Sequence, residues 1–144
     1  MTRHLPCLAL VAALGGCHGP DGSAETAATA SPALRSDVRV TEISLGRALE
    51  ASRRVAEPAD VFARTDTVYA SVVTEGSAPR GLLKARWTYH DSEMVNESSL
   101  EIVPSGATVS EFHISRPEGL RAGSYEIEIF LDGVSAGKRA FSVK

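Results

Sequence analysis

From about residue 37 onward the chain alternates apolar and polar residues in short runs, and turn residues interrupt them about every ten positions. Because a strand with one buried face has a period of two residues, this spacing predicts antiparallel strands of a sandwich or barrel. The two clearest runs predict two strands. Leu83, Ala85, Trp87 and Tyr89 share one face of the first, and Tyr125, Ile127, Ile129 and Leu131 share one face of the second. Asp132-Gly133 then predicts a two-residue hairpin, since both central positions require a positive φ.

The same alternation predicts the remaining strands. Residues 38–45 form the first, and its apolar positions change phase between Val40 and Ile43, as a β-bulge would cause. Further strands are predicted over residues 67–73, 94–103, 108–115 and 134–143. The expected fold class is therefore all-β, a single antiparallel sandwich of about seven strands over residues 37–144.

Residues 46–65 have no regular period. Val55 and Phe62 are the core contacts predicted within them, and residues 48–51 are predicted to form a helical turn. This segment is expected to connect two strands irregularly, with few of its side chains in the core.

The N terminus has the parts of a secretory signal. Arg3 precedes a mostly apolar run over residues 5–14, and two glycines follow it. The run is shorter than the roughly 20 residues that span a bilayer. Residues 18–36 are mostly Ala, Ser, Thr, Gly and Pro without apolar periodicity, which predicts a flexible linker. Residues 1–16 are thus the expected signal peptide, residues 17–36 the modified cysteine and linker, and residues 37–144 the domain.

Leu14-Gly15-Gly16-Cys17 resembles the lipobox of bacterial lipoproteins. The resemblance implies cleavage before Cys17, a diacylglycerol on its thiol and often an acyl group on the new amine. No other cofactor is expected. His18, rather than an Asp, follows the cysteine, which by the same resemblance implies the outer membrane, on its periplasmic side. The alternative is a plain signal peptide in which Cys17 lies near the cleavage site by chance.

Two features resemble the immunoglobulin and fibronectin type III sandwiches. Trp87, the only tryptophan, lies in the middle of a predicted strand, as the buried tryptophan of those domains does. Residues 120–125, LRAGSY, resemble the tyrosine corner, in which a tyrosine opening the penultimate strand bonds back to nearby backbone. The chain lacks the two cysteines that bridge the sheets of antibody domains, so the resemblance implies the architecture alone.

Charge and cysteine content exclude several classes of function. The net charge is −3 and no Lys/Arg cluster stands out, so nucleic acid is not an expected partner. Of the two cysteines, Cys7 lies in the leader and Cys17 would begin the mature chain. The folded domain would then contain no cysteine, which excludes a disulfide scaffold, a thiolate metal site and a cysteine enzyme.

No catalytic or metal-binding motif is evident. His18, His90 and His113 are expected at the surface, and Met94 alone is too little for a copper site. Glu111 and His113 share one strand face, but no Gly-x-Ser-x-Gly motif accompanies them. Loop carboxylates remain open as calcium ligands, although the EF-hand spacing is absent; they are Glu57, Asp60 and Asp66. The chain is accordingly expected not to be an enzyme, with no catalytic residues and no metal.

One outward-facing surface is a candidate interaction face. Leu82 and Phe130 are predicted to point away from the core on adjacent strands, and charged residues surround them. Its members are Leu82, Lys84, Arg86, Glu128 and Phe130. We expect Glu126 and Glu128 to form ion pairs with Lys84 and Arg86 across the strands. The alternative is that residues 46–65 partly cover this face.

The sequence thus favours a lipid-anchored, non-enzymatic binding module of the bacterial cell envelope. Its expected partners are the membrane, through the lipid, and an envelope protein or wall component. The alternative is a small-ligand or metal-binding protein, possessing a pocket where residues 46–65 and 74–82 come together.

Overall fold

The computed structural model describes residues 37–144, which form strands joined by turns and loops. Seven strands have seven to ten residues, and one has only two. In chain order the strands are β1 (Arg39–Gly46), β2 (Val61–Phe62), β3 (Val68–Glu75), β4 (Gly81–Tyr89), β5 (Glu93–Ile102), β6 (Thr108–Ile114), β7 (Gly123–Leu131) and β8 (Val134–Val143). The prediction of an all-β fold is confirmed, and β2 is the strand that the alternation did not reveal.

The strands form two sheets. A three-stranded sheet has the order β1-β3-β6, and a five-stranded sheet has the order β2-β8-β7-β4-β5. All pairings are antiparallel except that of β2 with β8. Inward-facing side chains of both sheets meet in one core, as expected of a sandwich.

Local signals in the sequence define the bulge and the tight turn. The register of β1 against β3 shifts between Val40 and Glu42, which confirms the predicted bulge. Asp132 and Gly133 join β7 to β8 with φ values of 51° and 84°, which confirms the hairpin. The Asp132 carboxylate also accepts a hydrogen bond of 2.8 Å from the backbone N–H of Leu82, so the hairpin is tied to β4.

The core is centred on Trp87. This side chain has no exposed surface, and its ring meets that of Phe141 edge to face with centroids 5.9 Å apart. The inward alternation predicted for β4 and β7 is confirmed, because Leu83, Ala85, Ile127 and Ile129 are also fully buried. Phe62 is part of this core as predicted, whereas Val55 is buried but lies outside the core cluster, contrary to the prediction.

Residues 46–65 cross the outer face of the three-stranded sheet and then join the other sheet. The predicted helical turn at residues 48–51 is wrong, because Leu49 instead pairs with Val55 in an isolated antiparallel bridge. The Val55 N–H lies 3.4 Å from the Ser71 hydroxyl that accepts its hydrogen bond, and Ser71 is buried although it points away from the core. Burial of Val55 against β3 therefore prevails over the weak helical preference of four residues.

The predicted tyrosine corner is present at the start of β7. The Tyr125 hydroxyl donates a hydrogen bond of 3.0 Å to the carbonyl of Arg121, four residues earlier. Burial raises the pKa of Tyr125, so the hydroxyl remains a donor over the whole neutral range. This bond fixes the loop that precedes β7.

We expect Tyr125→Phe to lower the free energy of unfolding by about 1 kcal/mol, because it leaves the Arg121 carbonyl without its donor. Urea denaturation followed by circular dichroism measures the change. Tyr69→Phe is the matched control, because within residues 37–144 the Tyr69 hydroxyl has no hydrogen-bond partner. Equal stability of the two variants would contradict a stabilising corner.

Candidate functional site

The outer face of the five-stranded sheet brings together the five residues of the predicted interaction face. Lys84 pairs with Phe130 and Arg86 with Glu128 in the register of β4 against β7. Leu82 lies one pleat further along β4 and is 39% exposed. The strand assignments and their phase therefore place all five residues as the sequence predicts, on one side of the sheet.

Phe130 forms the apolar centre of this outer face. The Arg86 guanidinium carbon lies 5.0 Å from the centre of its ring, and the Lys84 ammonium lies 6.0 Å from it. These are cation–π distances, so the charged heads cover the ring partly while their stems add apolar surface. No bare hydrophobic patch results; the face presents an aromatic ring beneath two cations.

The ion pairs of this face differ from the prediction. Arg86 and Lys84 both pair with Glu97 of β5, at 2.9 and 3.5 Å. Lys138 of β8 takes the two glutamates of β7 instead, Glu126 at 2.9 Å and Glu128 at 3.7 Å. Arg86 is thereby directed towards β5, and it stacks on Phe130 in that position.

Hydrogen bonds stabilise the two sets of ion pairs, one around Glu97 and the other around Lys138. The bond from Arg86 lowers the pKa of Glu97 more than any other interaction, so Glu97 remains an anion in mildly acidic solution. The Ser135 hydroxyl donates to Glu128 at 2.7 Å and holds that carboxylate towards β8. The two networks on this outer face together hold three cations and three anions; the cations are Lys84, Arg86 and Lys138, and the anions are Glu97, Glu126 and Glu128.

The described histidines do not form a reactive pair. His113 and Glu111 are both exposed on β6, and the His113 ring packs 5.7 Å from that of Tyr69. His90 lies in the turn after β4 and stacks at 4.0 Å on Tyr89. Within residues 37–144 no three His, Cys, Asp or Glu side chains are grouped closely enough to hold a metal ion.

Two loop carboxylates considered as calcium ligands bind protein groups. Asp60 lies 3.6 Å from Arg139. Asp66 accepts hydrogen bonds from the Ala63 backbone at 2.8 Å and from Arg47 at 2.9 Å. The Ala63 bond, followed by that of Arg47, lowers the pKa of Asp66. These carboxylates hold the segment around β2 in place.

The pocket suggested between residues 46–65 and 74–82 does not exist, and that expectation is wrong. Gly46 pairs with Tyr69 at the start of β3, whereas Arg39 pairs with Glu75 at its end. The two segments consequently lie at opposite ends of the sandwich, because β3 separates them by its full length.

A different cavity lies at the end of the sandwich where the β4–β5 turn and the β6–β7 loop meet. Its volume is about 310 Å³. Three arginines line it. Arg116 and Arg121 are close in the sequence, whereas Arg64 is distant from them. None of these three arginines is a candidate site residue from the sequence. Arg116 and Arg121 lie close together just before Tyr125, which was a detectable signal, but nothing in the sequence indicates that Arg64 joins them.

An apolar groove of about 380 Å³ lies beside the β7–β8 hairpin. Val38 and Val40 of the first strand segment contribute to it, together with Leu131 and Val134. Val134 is 71% exposed there. Arg39, Asp132 and Ser135 also line this groove, although its surface is mostly apolar.

Known proteins resemble this chain in fold but not in sequence. No protein-family model matches the sequence, and no curated protein matches it. An immunoglobulin-like protein from Pseudomonas aeruginosa superimposes with a TM-score of 0.52 and 13% identity, covering 77% of this chain and 99% of that one. The fold is immunoglobulin-like. The C-terminal domain of wzt is a similar case, with a TM-score of 0.53 and 8% identity over 76% of this chain and 75% of that one.

The immunoglobulin-like domain also resembles parts of much larger proteins. An alkylpurine DNA glycosylase, AlkC of Pseudomonas fluorescens, matches with a TM-score of 0.51 and 12% identity over 76% of this chain. This chain spans only 31% of the glycosylase and 16% of a β-glucosidase from intestinal bacteria that also matches. At such identities the likeness describes the architecture and carries no activity.

The predicted lipobox residues Leu14, Gly15, Gly16 and Cys17 lie outside the described residues. Within residues 37–144, no helix has the length and the hydropathy that a membrane span requires.

Proposed function

We propose that this chain is a cell-envelope lipoprotein whose immunoglobulin-like domain acts as a non-enzymatic binding module. The lipobox sequence supports an anchor on Cys17, and the polar composition of residues 18–36 supports a linker between anchor and domain. Acyl chains confine such a protein to one membrane surface, which raises its effective concentration for a nearby partner. The expected membrane is the outer one, on its periplasmic side.

The observation that supports a docking role is the arrangement around Phe130. An aromatic ring lies at the centre of an open sheet face, and Arg86 and Lys84 stack on it. Aromatic residues and arginine supply most of the binding energy of protein interfaces, and paired charges of both signs form their rims. The equal numbers of cations and anions fit another folded protein better than a nucleic acid or an anionic lipid surface. We therefore propose an envelope protein as the partner.

The test is chemical crosslinking of the full lipoprotein in isolated envelopes. We expect one recurrent partner, and Phe130→Ala is expected to reduce its crosslinked yield at least about tenfold, as loss of an interface hot spot does. Arg86→Ala is expected to act in the same direction, because it removes the cation that covers the ring.

Tyr69→Ala is the matched control, since Tyr69 is a partly exposed aromatic residue on the outer face of the other sheet. It should leave the yield unchanged. We call the surface formed by Leu82, Lys84, Arg86, Glu128 and Phe130 the Phe130 face. If Tyr69→Ala lowers the crosslinked yield equally, or if Phe130→Ala retains the full yield, the Phe130 face is not the docking surface.

A further inference from the structure

The arginine-lined cavity is a concave polar site at the end of the sandwich. Arg64 enters it from the turn after β2, and Arg116 and Arg121 enter it from the β6–β7 loop. Val95 and buried Tyr125 add apolar surface. Its volume of about 310 Å³ is at the lower end of the range of small-molecule sites, which suits a ligand of one or two amino-acid residues.

Each arginine donates to one protein acceptor and retains further donors. Arg64 donates from Nε to the Leu120 carbonyl at 3.1 Å, and Arg116 donates from Nη2 to the Val95 carbonyl at 3.3 Å. Arg121 pairs with Glu93. A guanidinium has five N–H donors, so each of these side chains is positioned by the protein and still has several donors unused.

The loop that carries two of the arginines is rigidly attached. The Leu120 N–H donates to the Arg64 carbonyl at 2.7 Å, so Arg64 and Leu120 are joined in both directions. The Leu120 side chain is fully buried. Hydroxyls of Tyr89 and Tyr125 donate to the carbonyls of Ala122 and Arg121 at 2.9 and 3.0 Å. A site prepared in this way loses little conformational entropy when a ligand binds.

The charge of the cavity is unbalanced in favour of cations. Glu93 neutralises Arg121, but among residues 37–144 neither Arg64 nor Arg116 has a carboxylate partner. Glu118 is the only other acid that lines the cavity, so three arginines face two glutamates there. The chain as a whole has a net charge of −3, so this concentration of arginines does not reflect a basic chain.

We infer that this cavity binds a small ligand through a carboxylate group. The planar fork of a guanidinium matches the two oxygens of a carboxylate, and two such forks without an acidic partner face one small cavity. The Val95 and Tyr125 surface would contact the apolar part of the ligand. The site is separate from the Phe130 face and does not depend on the docking function proposed above.

The test is a titration of the whole non-lipidated chain with N-acetyl-alanyl-alanine, followed by amide chemical shifts. We expect saturable shifts of the amides around Val95, Gly119 and Arg121, and none with the C-terminally amidated dipeptide. Inorganic phosphate is the second arm. Saturable binding of phosphate at the same amides, with none of the dipeptide, would overturn the carboxylate assignment in favour of a phosphate site.

Variants decide whether the arginines bind the ligand. Arg116→Gln should weaken dipeptide binding at least about tenfold, because a charge-assisted hydrogen bond is lost. Arg116→Lys should recover only part of the affinity, since an ammonium lacks the planar fork. Arg39→Gln, at the opposite end of the sandwich, and Phe130→Ala should both bind as the parent does. The inference would be overturned if the free-acid and amidated dipeptides bound equally, or if Arg116→Gln bound the free-acid dipeptide with unchanged affinity.

Discussion

Replacing Cys17 with serine is expected to abolish incorporation of fatty acid into the protein. Only the thiol can take the diacylglycerol, because the hydroxyl of serine is a far weaker nucleophile at neutral pH. Each buried CH₂ group contributes about 0.8 kcal/mol to membrane binding, so two or three acyl chains hold a protein on a membrane almost irreversibly. The measurement is metabolic labelling with an alkyne fatty acid, read on the purified protein beside its intact mass.

Cys7→Ser is the matched control for this experiment. Cys7 is the only other cysteine and lies within the predicted leader, so its loss should leave labelling and mature mass unchanged. Persistent label on the Cys17→Ser protein would contradict the lipobox. Loss of label in both variants would indicate a defect of export and not of lipid attachment, and the unprocessed mass would reveal it.

Replacing Trp87 with alanine is expected to reduce the free energy of unfolding by about 3–5 kcal/mol. The side chain is fully buried between the sheets and packs against Phe141 at 5.9 Å, so its removal leaves a large cavity. Domains of this size are commonly stable by only about 5–15 kcal/mol, so the change removes a large share of the total. Urea denaturation followed by circular dichroism measures it, because the variant has lost the only tryptophan.

Two control variants show whether the loss of stability is due to the cavity left by the buried ring. Trp87→Phe keeps an aromatic ring and removes an indole N–H that is buried without a partner among the described residues, so we expect a loss of only about 1 kcal/mol. Val134→Ala truncates an apolar residue that is 71% exposed, and its effect should stay within about 0.5 kcal/mol. A Trp87→Ala loss as small as that of Val134→Ala would contradict a central role for Trp87 in the core.

In the interaction face, the alternation of apolar and polar residues predicted which side chains share a surface but not which ion pairs they form. The two-residue period of β4 and β7 was sufficient to place Lys84, Arg86 and Phe130 on one outer face. It could not assign the ion pairs, because each long side chain reaches either neighbouring strand. The choice of Glu97 by Arg86 depends on β5 lying at the sheet edge and on stacking over Phe130.

The arginine cavity was beyond prediction for a related reason. Arg64 and Arg116 are 52 residues apart in the sequence and occupy different loops. They meet because β2 extends the five-stranded sheet beside β8, which brings the turn after β2 to the β6–β7 loop. A two-residue parallel pairing leaves no periodic signal, so its consequences for the loops could not be derived from the pattern of apolar residues.

The pattern of residues 37–144 alone indicates that the domain is all-β, which side chains of β4 and β7 face inward, and where the Asp132-Gly133 hairpin lies. The resemblance to immunoglobulin-like domains located the tyrosine corner. These features depend on neighbours within about ten residues, through strand periodicity, turn conformation and one local hydrogen bond. The tertiary structure alone decided the path of residues 46–65, the partners of the surface charges and the position of the arginine cavity. Each of these depends on contacts between distant segments, whose energies exist only once the two sheets have packed.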